Sequence, residues 1–339
     1  MRKTLPSLDA AKWISALLMV VIHTQPFRYY SEIVDFLTAR VIAPVGISVF
    51  FAISGYLLGQ KFKVNEGTLK NNKTNRKILW KYQKHNILLY LISSAIYLLW
   101  QIPRWYTSGW WGFAVIKDFA TSFLFSGSYY HLWYVLALLY AVPLLYLLMC
   151  YFKRKYILWL CGFGWLIECA IYSYEWLFQP FLMTRPIAFL LSHFLVIFVA
   201  LFRAIPLLYI GVLVGNKKES YIAGQWEKRF ISVIAFWMME VSALKWLSPN
   251  NSQYAYLLST PIITYYMMQY IIHLDLKILS ENAGAALRKA SLLIYILHPL
   301  IIDLYSYLQF PDGFLCWCTV TFLSVTVTVI FFKIIIRRA

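Results

Sequence analysis

Leu191 to Gly215 read LSHFLVIFVALFRAIPLLYIGVLVG, an apolar run interrupted by one charge, Arg203. A stretch of this kind matches the ~20 residues that an α-helix needs to cross the ~30 Å hydrocarbon core of a bilayer. Similar runs recur along the whole chain, at 9–28, 41–60, 87–101, 131–150, 156–173, 230–247, 254–274, 291–308 and 314–336. The 339 residues are 61% hydrophobic and 13% charged, more apolar surface than a soluble domain of this length can hide. Inside a bilayer every backbone polar group must be paired internally, which leaves helices or a closed barrel. The runs are long and unbroken rather than alternating, so they read as helices. The expectation is an all-α, polytopic membrane protein of about ten transmembrane helices, one domain over 1–339, with neither a separate soluble domain nor a long linker.

The net charge of +17 sits in short loops between these runs. With the N-terminus inside, the inner loops hold Lys61, Lys63, Lys70, Lys73, Arg76, Lys77, Lys81 and Lys84, then Lys153, Arg154 and Lys155. They are followed by Lys217, Lys218, Lys228 and Arg229, and by Lys277, Arg288 and Lys289. Arg2, Lys3, Lys12, Lys333, Arg337 and Arg338 sit at the two ends. Of the 31 basic residues, only Arg28, Arg40, Arg104, Lys117, Arg185, Arg203 and Lys245 fall in the outer half. That asymmetry follows the positive-inside rule and puts both termini in the cytoplasm. No basic surface exists apart from these loops, so nucleic acid is not an expected partner. The five cysteines lie in or beside apolar segments and read as small hydrophobes, not as a disulfide framework or a metal site. The first run carries Lys12 and His23 and lacks a small-residue cleavage site, so no cleavable signal peptide is expected. Segments 102–130 and 174–190 are rich in aromatic residues, among them Trp105, Trp110, Trp111 and Trp176, and read as outer loops at the headgroup interface.

Charged groups inside a bilayer are costly and mark functional positions. Lys12 and His23 are eleven residues apart on the first helix, three turns plus ~20° and ~16 Å along the axis, so both share one face. Asp9, one turn before Lys12, can pair with it. Lys12 fits a snorkelling anchor as well as an anion contact. His23 fits a helix–helix hydrogen bond as well as a general base, and a base needs a neighbour to fix its tautomer. His131 with Trp133, His193, Arg203, Glu168, Glu240, His298 and Asp303 are further candidates. An unpaired guanidinium at 203 would be costly, so Glu168, Asp303 or an anionic substrate is its expected partner. Glu240 and Lys245 lie about one turn apart and can satisfy each other. Pro206, Pro261 and Pro299 are candidate helix breaks. Walker, dinucleotide-fingerprint, HExxH and GxSxG motifs are all missing from the sequence, and Ser54–Gly55 reads as small residues that permit close helix packing.

Leu8-Asp9-Ala10-Ala11-Lys12, then His23, then Phe50-Phe51-Ala52-Ile53-Ser54-Gly55-Tyr56-Leu57-Leu58 together resemble the acyltransferase-3 family of integral membrane acyltransferases. Tyr130-His131-Leu132-Trp133-Tyr134-Val135, Leu207 to Gly215 and Leu297-His298-Pro299 resemble later landmarks of the same family. The resemblance runs from residue 8 to about 335. It implies a ten-helix fold in a bacterial-type cell membrane that moves an acyl group from a cytoplasmic acyl-CoA, as co-substrate, to an acceptor on the far side. The acceptor would be an envelope carbohydrate or a small hydroxyl compound. It implies no permanently bound cofactor and no metal, and leaves a homo-oligomer open. His23 would be the general base. Asp9, Lys12, Arg76 and Lys77 would bind the donor, with Asp9 orienting Lys12, and His131, Trp133, Arg203 and His298 would bind the acceptor. The family more often has arginine at the position of Lys12, and its basic stretch before the third helix is only loosely matched by Arg76 and Lys77. YHLWY, the GVLV of residues 211–214 and an end just past the last apolar run also resemble the membrane domains of vancomycin-resistance serine racemases. That likeness implies a rival role, uptake of L-serine for a cytoplasmic racemase domain absent from this chain.

Overall fold

The computed structural model describes residues 5–65, 68–110, 112–216, 225–248, 254–274 and 279–336. Arg2, Lys3, Trp111, Lys217, Lys218, Lys277, Arg337 and Arg338 lie outside them. In chain order the elements are α1 (Pro6–Thr24), α2 (Glu32–Asp35) running on as a π-helix over Phe36–Ile42, and α3 (Val45–Gly59). A short hairpin of β1 (Val64–Asn65) and β2 (Thr68–Leu69) precedes α4 (Lys73–Thr107), α5 (Phe113–Phe125), α6 (Trp133–Tyr151), α7 (Arg154–Ile171), α8 (Glu175–Leu182) and α9 (Arg185–His193). Then come α10 (Leu195–Phe198), a second π-helix over Val199–Ala204, α11 (Ile205–Asn216), α12 (Gln225–Leu247), α13 (Thr260–His273), α14 (Glu281–Tyr307) and α15 (Phe314–Ile336). Among the described residues the fold is all-helical apart from that hairpin.

Among the described residues seven helices are long and apolar enough to cross a membrane: Pro6–Thr24, Glu32–Gly59, Lys73–Thr107, Trp133–Tyr151, Leu195–Asn216, Lys228–Leu247 and Asn282–Tyr307. An eighth is reached if α7 and α8, bent by 85° at Tyr172–Tyr174, count as one span. The expected count of ten is therefore met only in part. At 14 residues α13 is ~21 Å long, short of a bilayer core, and Phe314–Thr326 of α15 is short too.

Helix α4 is far longer than the apolar run at 87–101. Asn72 caps it by accepting the Asn75 N–H at 2.8 Å, and it runs 35 residues, or ~52 Å. Its first half is amphipathic rather than apolar: Asn75, Gln83, Asn86 and Tyr90 are buried while Lys73, Arg76, Lys77, Lys81 and Lys84 are exposed. A hydropathy reading sees only the second half. The aromatic segments read as outer loops are largely helical as well, forming α5, α8 and α9. Pro299 does not break α14, Pro261 falls in the first turn of α13, where a missing N–H costs nothing, and Pro206 follows the π-helical stretch inside the continuous helix Leu195–Asn216 without breaking it.

The chain forms two compact units. The first holds residues up to Tyr56 and from Asn216 onward. Its core is built by α1, α14 and α15, with Ala16, Val20, Ile294, Tyr305, Cys316 and Val320 buried together. The contacts fix the direction of these helices. A Cβ on Gly284 would stand 3.4 Å from Pro6 Cα, Arg288 meets Asp9, and His298 meets His23. Residue numbers rise together on both helices, so α1 and α14 run parallel. Phe314, at the start of α15, packs on Phe27 beyond the end of α1, so α15 runs back the other way. Gly46 lets α3 approach α1: a Cβ there would lie 3.3 Å from both Met19 Cε and the Ser15 carbonyl. Glu240 of α12 accepts the N–H groups of Leu258 and Ser259 at 2.6 and 2.9 Å, satisfying donors just before α13.

The second unit runs from Leu57 to Gly215. Gln83 of α4 donates to the Leu139 carbonyl of α6, and Tyr90 donates to the Phe123 carbonyl of α5. Gln60 donates to the Gly215 carbonyl at 3.0 Å, and Gly59 faces the Val212 backbone. Asn75, wholly buried, accepts the Lys63 N–H and donates to the Lys63 and Lys70 carbonyls, so the hairpin is tied to the start of α4.

Candidate functional site

In the first unit the two α1 groups singled out from the sequence each have a counterpart on α14. At the N-terminal end of α1, Asp9 is 4% exposed, and its Oδ1 lies 3.4 Å from Arg288 Nε. Lys12, half-buried one turn on, bears on the same carboxylate. The expected Asp9–Lys12 couple is thus a three-membered cluster, and Arg288 is the member that sequence reading placed only in a loop. Asp9 Oδ2 has no hydrogen-bond partner among the described residues and faces the space that a side chain at Gly284 would fill.

Three turns further along α1, the His23 ring stacks on His298 with centroids 5.4 Å apart and planes 29° apart. His298 is fully buried, and its Nδ1 lies 2.8 Å from the Ile294 carbonyl. A carbonyl only accepts, so Nδ1 carries the proton and Nε2 the lone pair of the neutral ring. His23 itself is exposed. A basic nitrogen on an exposed ring, held against a buried ring of fixed tautomer, is an arrangement suited to taking a proton from an approaching hydroxyl. Sequence reading required a neighbour for His23 and could not name it; the ring that stacks on it is His298.

In the second unit Arg203 and Trp133 come together. The π-helical stretch Val199–Ala204 ends the approach to α11 and aims Arg203 inward, as such turns often do at functional positions. Its guanidinium lies 5.2 Å from the Trp133 ring and 4.7 Å from the Tyr172 ring, and its Nε pairs with Glu168 Oε1 at 2.5 Å. Arg203 and Glu168 are 4% and 1% exposed. Of the acids considered, Glu168 is the partner, and Tyr172, the residue that caps α7 one turn after Glu168, is an addition. His131, 3% exposed, sits edge-on to Tyr97 at 4.9 Å, with Tyr129 and Tyr130 beside it. His298, grouped with these residues in the sequence reading, belongs instead with His23.

Arg76 and Lys77 are exposed on the first turn of α4. They stand at the Asn75-tied hairpin with Lys61, Lys63, Lys70 and Lys73, also exposed. His193 is exposed and engaged locally, stacked on Phe189 at 4.2 Å. Asp303 is half-buried on α14.

The family model described as "Acyltransferase domain" matches residues 5–333. A protein named serine/alanine racemase from Enterococcus gallinarum is 26% identical over 304 residues, covering 87% of this chain and 40% of the relative. Two proteins named amino-acid racemase from Enterococcus faecalis are 30% identical over 129 residues and 29% over 128. Each covers 38% of this chain and 16% or 17% of the relative. The chain therefore spans less than half the length of these curated relatives. No solved structure matches it.

Proposed function

Since the chain belongs to the acyltransferase-3 family, matched across residues 5–333, we propose that it transfers an acyl group from a cytoplasmic acyl-CoA to an acceptor hydroxyl at the outer side of the membrane. The observation that carries this reading is the exposed His23 stacked on the buried, tautomer-fixed His298. His23 takes the acceptor's O–H proton as its oxygen attacks the thioester carbonyl. The carbon–sulfur bond then breaks, and the leaving thiolate takes a proton back from His23. The family resemblance assigns the donor's phosphates to Lys12, which Asp9 holds, and to Arg76 and Lys77. Arg203 and Trp133, with His131 just before α6, receive the acceptor, an envelope carbohydrate or a small hydroxyl compound. The reading takes residues 1–339 as one domain of ten spans in a bacterial-type cell membrane with both ends cytoplasmic. The unbroken family match and the parallel run of α1 and α14 support it.

The test uses purified protein in lipid nanodiscs with acetyl-CoA, following free CoA. His23→Ala is expected to lower release by ~10²–10⁴-fold. Release that persists in this variant at the wild-type rate would remove His23 from the chemistry.

One observation favours a second reading. The relative matched over most of this chain is named a serine/alanine racemase. In that reading the chain is a membrane part that takes up L-serine, whose carboxylate and ammonium would meet the Arg203–Glu168 pair. Proteoliposomes that accumulate labelled serine while releasing no CoA would favour it, and the absence of flux would end it.

A further inference from the structure

We propose that Arg288 of α14 is, together with Lys12, a ligand of the donor's phosphate groups, with Asp9 holding both cations in place. The inference deepens the acyl-transfer reading and rests on it. Its starting point is the parallel packing of α1 and α14, which gives each group of the α1 face a partner at the same level. Lys12 and His23 are eleven residues apart, and Arg288 and His298 are ten, so the two steps are ~16 and ~15 Å. The two helices thus present a cationic level near their N-terminal ends and an imidazole level ~15 Å further along. A donor with phosphates at one end and a thioester at the end of a long flexible arm matches this layout. Two cations against one buried carboxylate leave a surplus positive charge at the inner level. Arg288 meets Asp9 through Nε, and its side chain is 40% exposed, so the edge carrying the two terminal nitrogens is geometrically available for a phosphate. Lysine at position 12 is a point charge; the planar fork comes from Arg288. The small residue at 284 lets α1 come near enough for Asp9 to reach Arg288 at all.

A phosphate could also belong to a lipid headgroup, and the experiment separates the two. Wild type, Arg288→Gln, Arg288→Lys and Asp9→Asn are titrated, in phosphatidylcholine nanodiscs, with acetyl-CoA and with S-acetylpantetheine, which lacks every phosphate. Arg288→Gln is expected to weaken acetyl-CoA binding by about tenfold and leave S-acetylpantetheine binding unchanged. Arg288→Lys should fall between, and Asp9→Asn should follow Arg288→Gln. An equal loss for both ligands would make Arg288 merely a packing residue and overturn the proposal, as would acetyl-CoA binding unaltered in Arg288→Gln. Repeating the titration with phosphatidylglycerol tests the headgroup: if that lipid competes in wild type but not in Arg288→Gln, the phosphate is the membrane's and the donor assignment fails. Should wild type bind no acetyl-CoA, the acyl-transfer reading itself falls, an outcome distinct from a variant that alone behaves like wild type. Arg288→Lys keeps the charge and the ion pair, so it carries the test if Arg288→Gln does not fold.

Discussion

A guanidinium buried among apolar neighbours states its own requirement, and Arg203 is the residue where that requirement is easiest to read. An uncompensated charge there is too costly to persist, so an anionic partner, a carboxylate or a substrate, was legible from the sequence alone. That the partner is Glu168 rather than Asp303, and that Trp133 and Tyr172 cover the guanidinium, was not, because those contacts depend on which helices are neighbours. The same holds for His23: its place on one face with Lys12 follows from 3.6 residues per turn, whereas its stacking on His298 follows from α14 lying alongside. The buried pair gives a stability prediction. Glu168→Ala strands the Arg203 charge and should destabilise the protein by ~3–5 kcal/mol. The double change Glu168→Gln with Arg203→Met removes both charges and should recover most of that loss. Thermal unfolding in nanodiscs measures both, and a Glu168→Ala variant within about 1 kcal/mol of wild type would mean that the pair is not what holds this site.

Elements were legible where the pattern was purely apolar and obscured where it was mixed. The runs at 41–60 and 191–215 gave α3 and the α10–α11 helix within a few residues. The first half of α4 was hidden because its buried face is made of Asn75, Gln83 and Asn86, which hydropathy counts as loop. The π-helical stretches at 36–42 and 199–204 have no sequence signal of their own; an extra residue per turn is a response to packing. Helix spacing also has a testable consequence at Gly59. A Cβ there would stand 3.0 Å from both the Cα and the carbonyl oxygen of Val212, and backbone on both sides cannot swing aside as a side chain does. Gly59→Ala should therefore destabilise by ~1–3 kcal/mol despite alanine's better helix propensity. Gly162, with nothing within 4 Å of its would-be Cβ, is the internal control: Gly162→Ala should be neutral or stabilising. Equal melting temperatures for the two variants would show that α3 and α11 are not in close backbone contact.

For the whole molecule, the direction of α1 against α14 constrains how the chain can be threaded through a bilayer. Two parallel helices cross in the same sense only if an odd number of spans lies between them. The seven candidate spans place five between α1 and α14, which satisfies this. Adding the bent α7–α8 pair alone would violate it, and adding α13 with it restores it. If α15, which runs back the other way, also crosses the bilayer, the two ends of the described chain are expected on one side, the arrangement that the placement of lysines and arginines in the sequence predicts. Hydropathy counted 156–173 and 254–274 as full spans between α1 and α14, because it sees neither the 85° bend after α7 nor that α13 is only 14 residues long. Single cysteines test the threading, in a background with Cys150 and Cys318 changed to Ser. Arg28 and Asp312 are exposed beyond the end of α1 and before the start of α15, and Lys84 and Lys155 are exposed on the opposite side in this scheme. A membrane-impermeant maleimide added to intact cells should label Arg28→Cys and Asp312→Cys, and should reach Lys84→Cys and Lys155→Cys only after lysis. Labelling of Lys155→Cys together with Asp312→Cys from outside, with Lys84→Cys still protected, would put α7 on the wrong course and leave the α1–α14 frame intact. If Arg28→Cys and Asp312→Cys instead report opposite sides, the parallel packing itself is wrong, and with it the pairing of Arg288 to Asp9 and of His298 to His23.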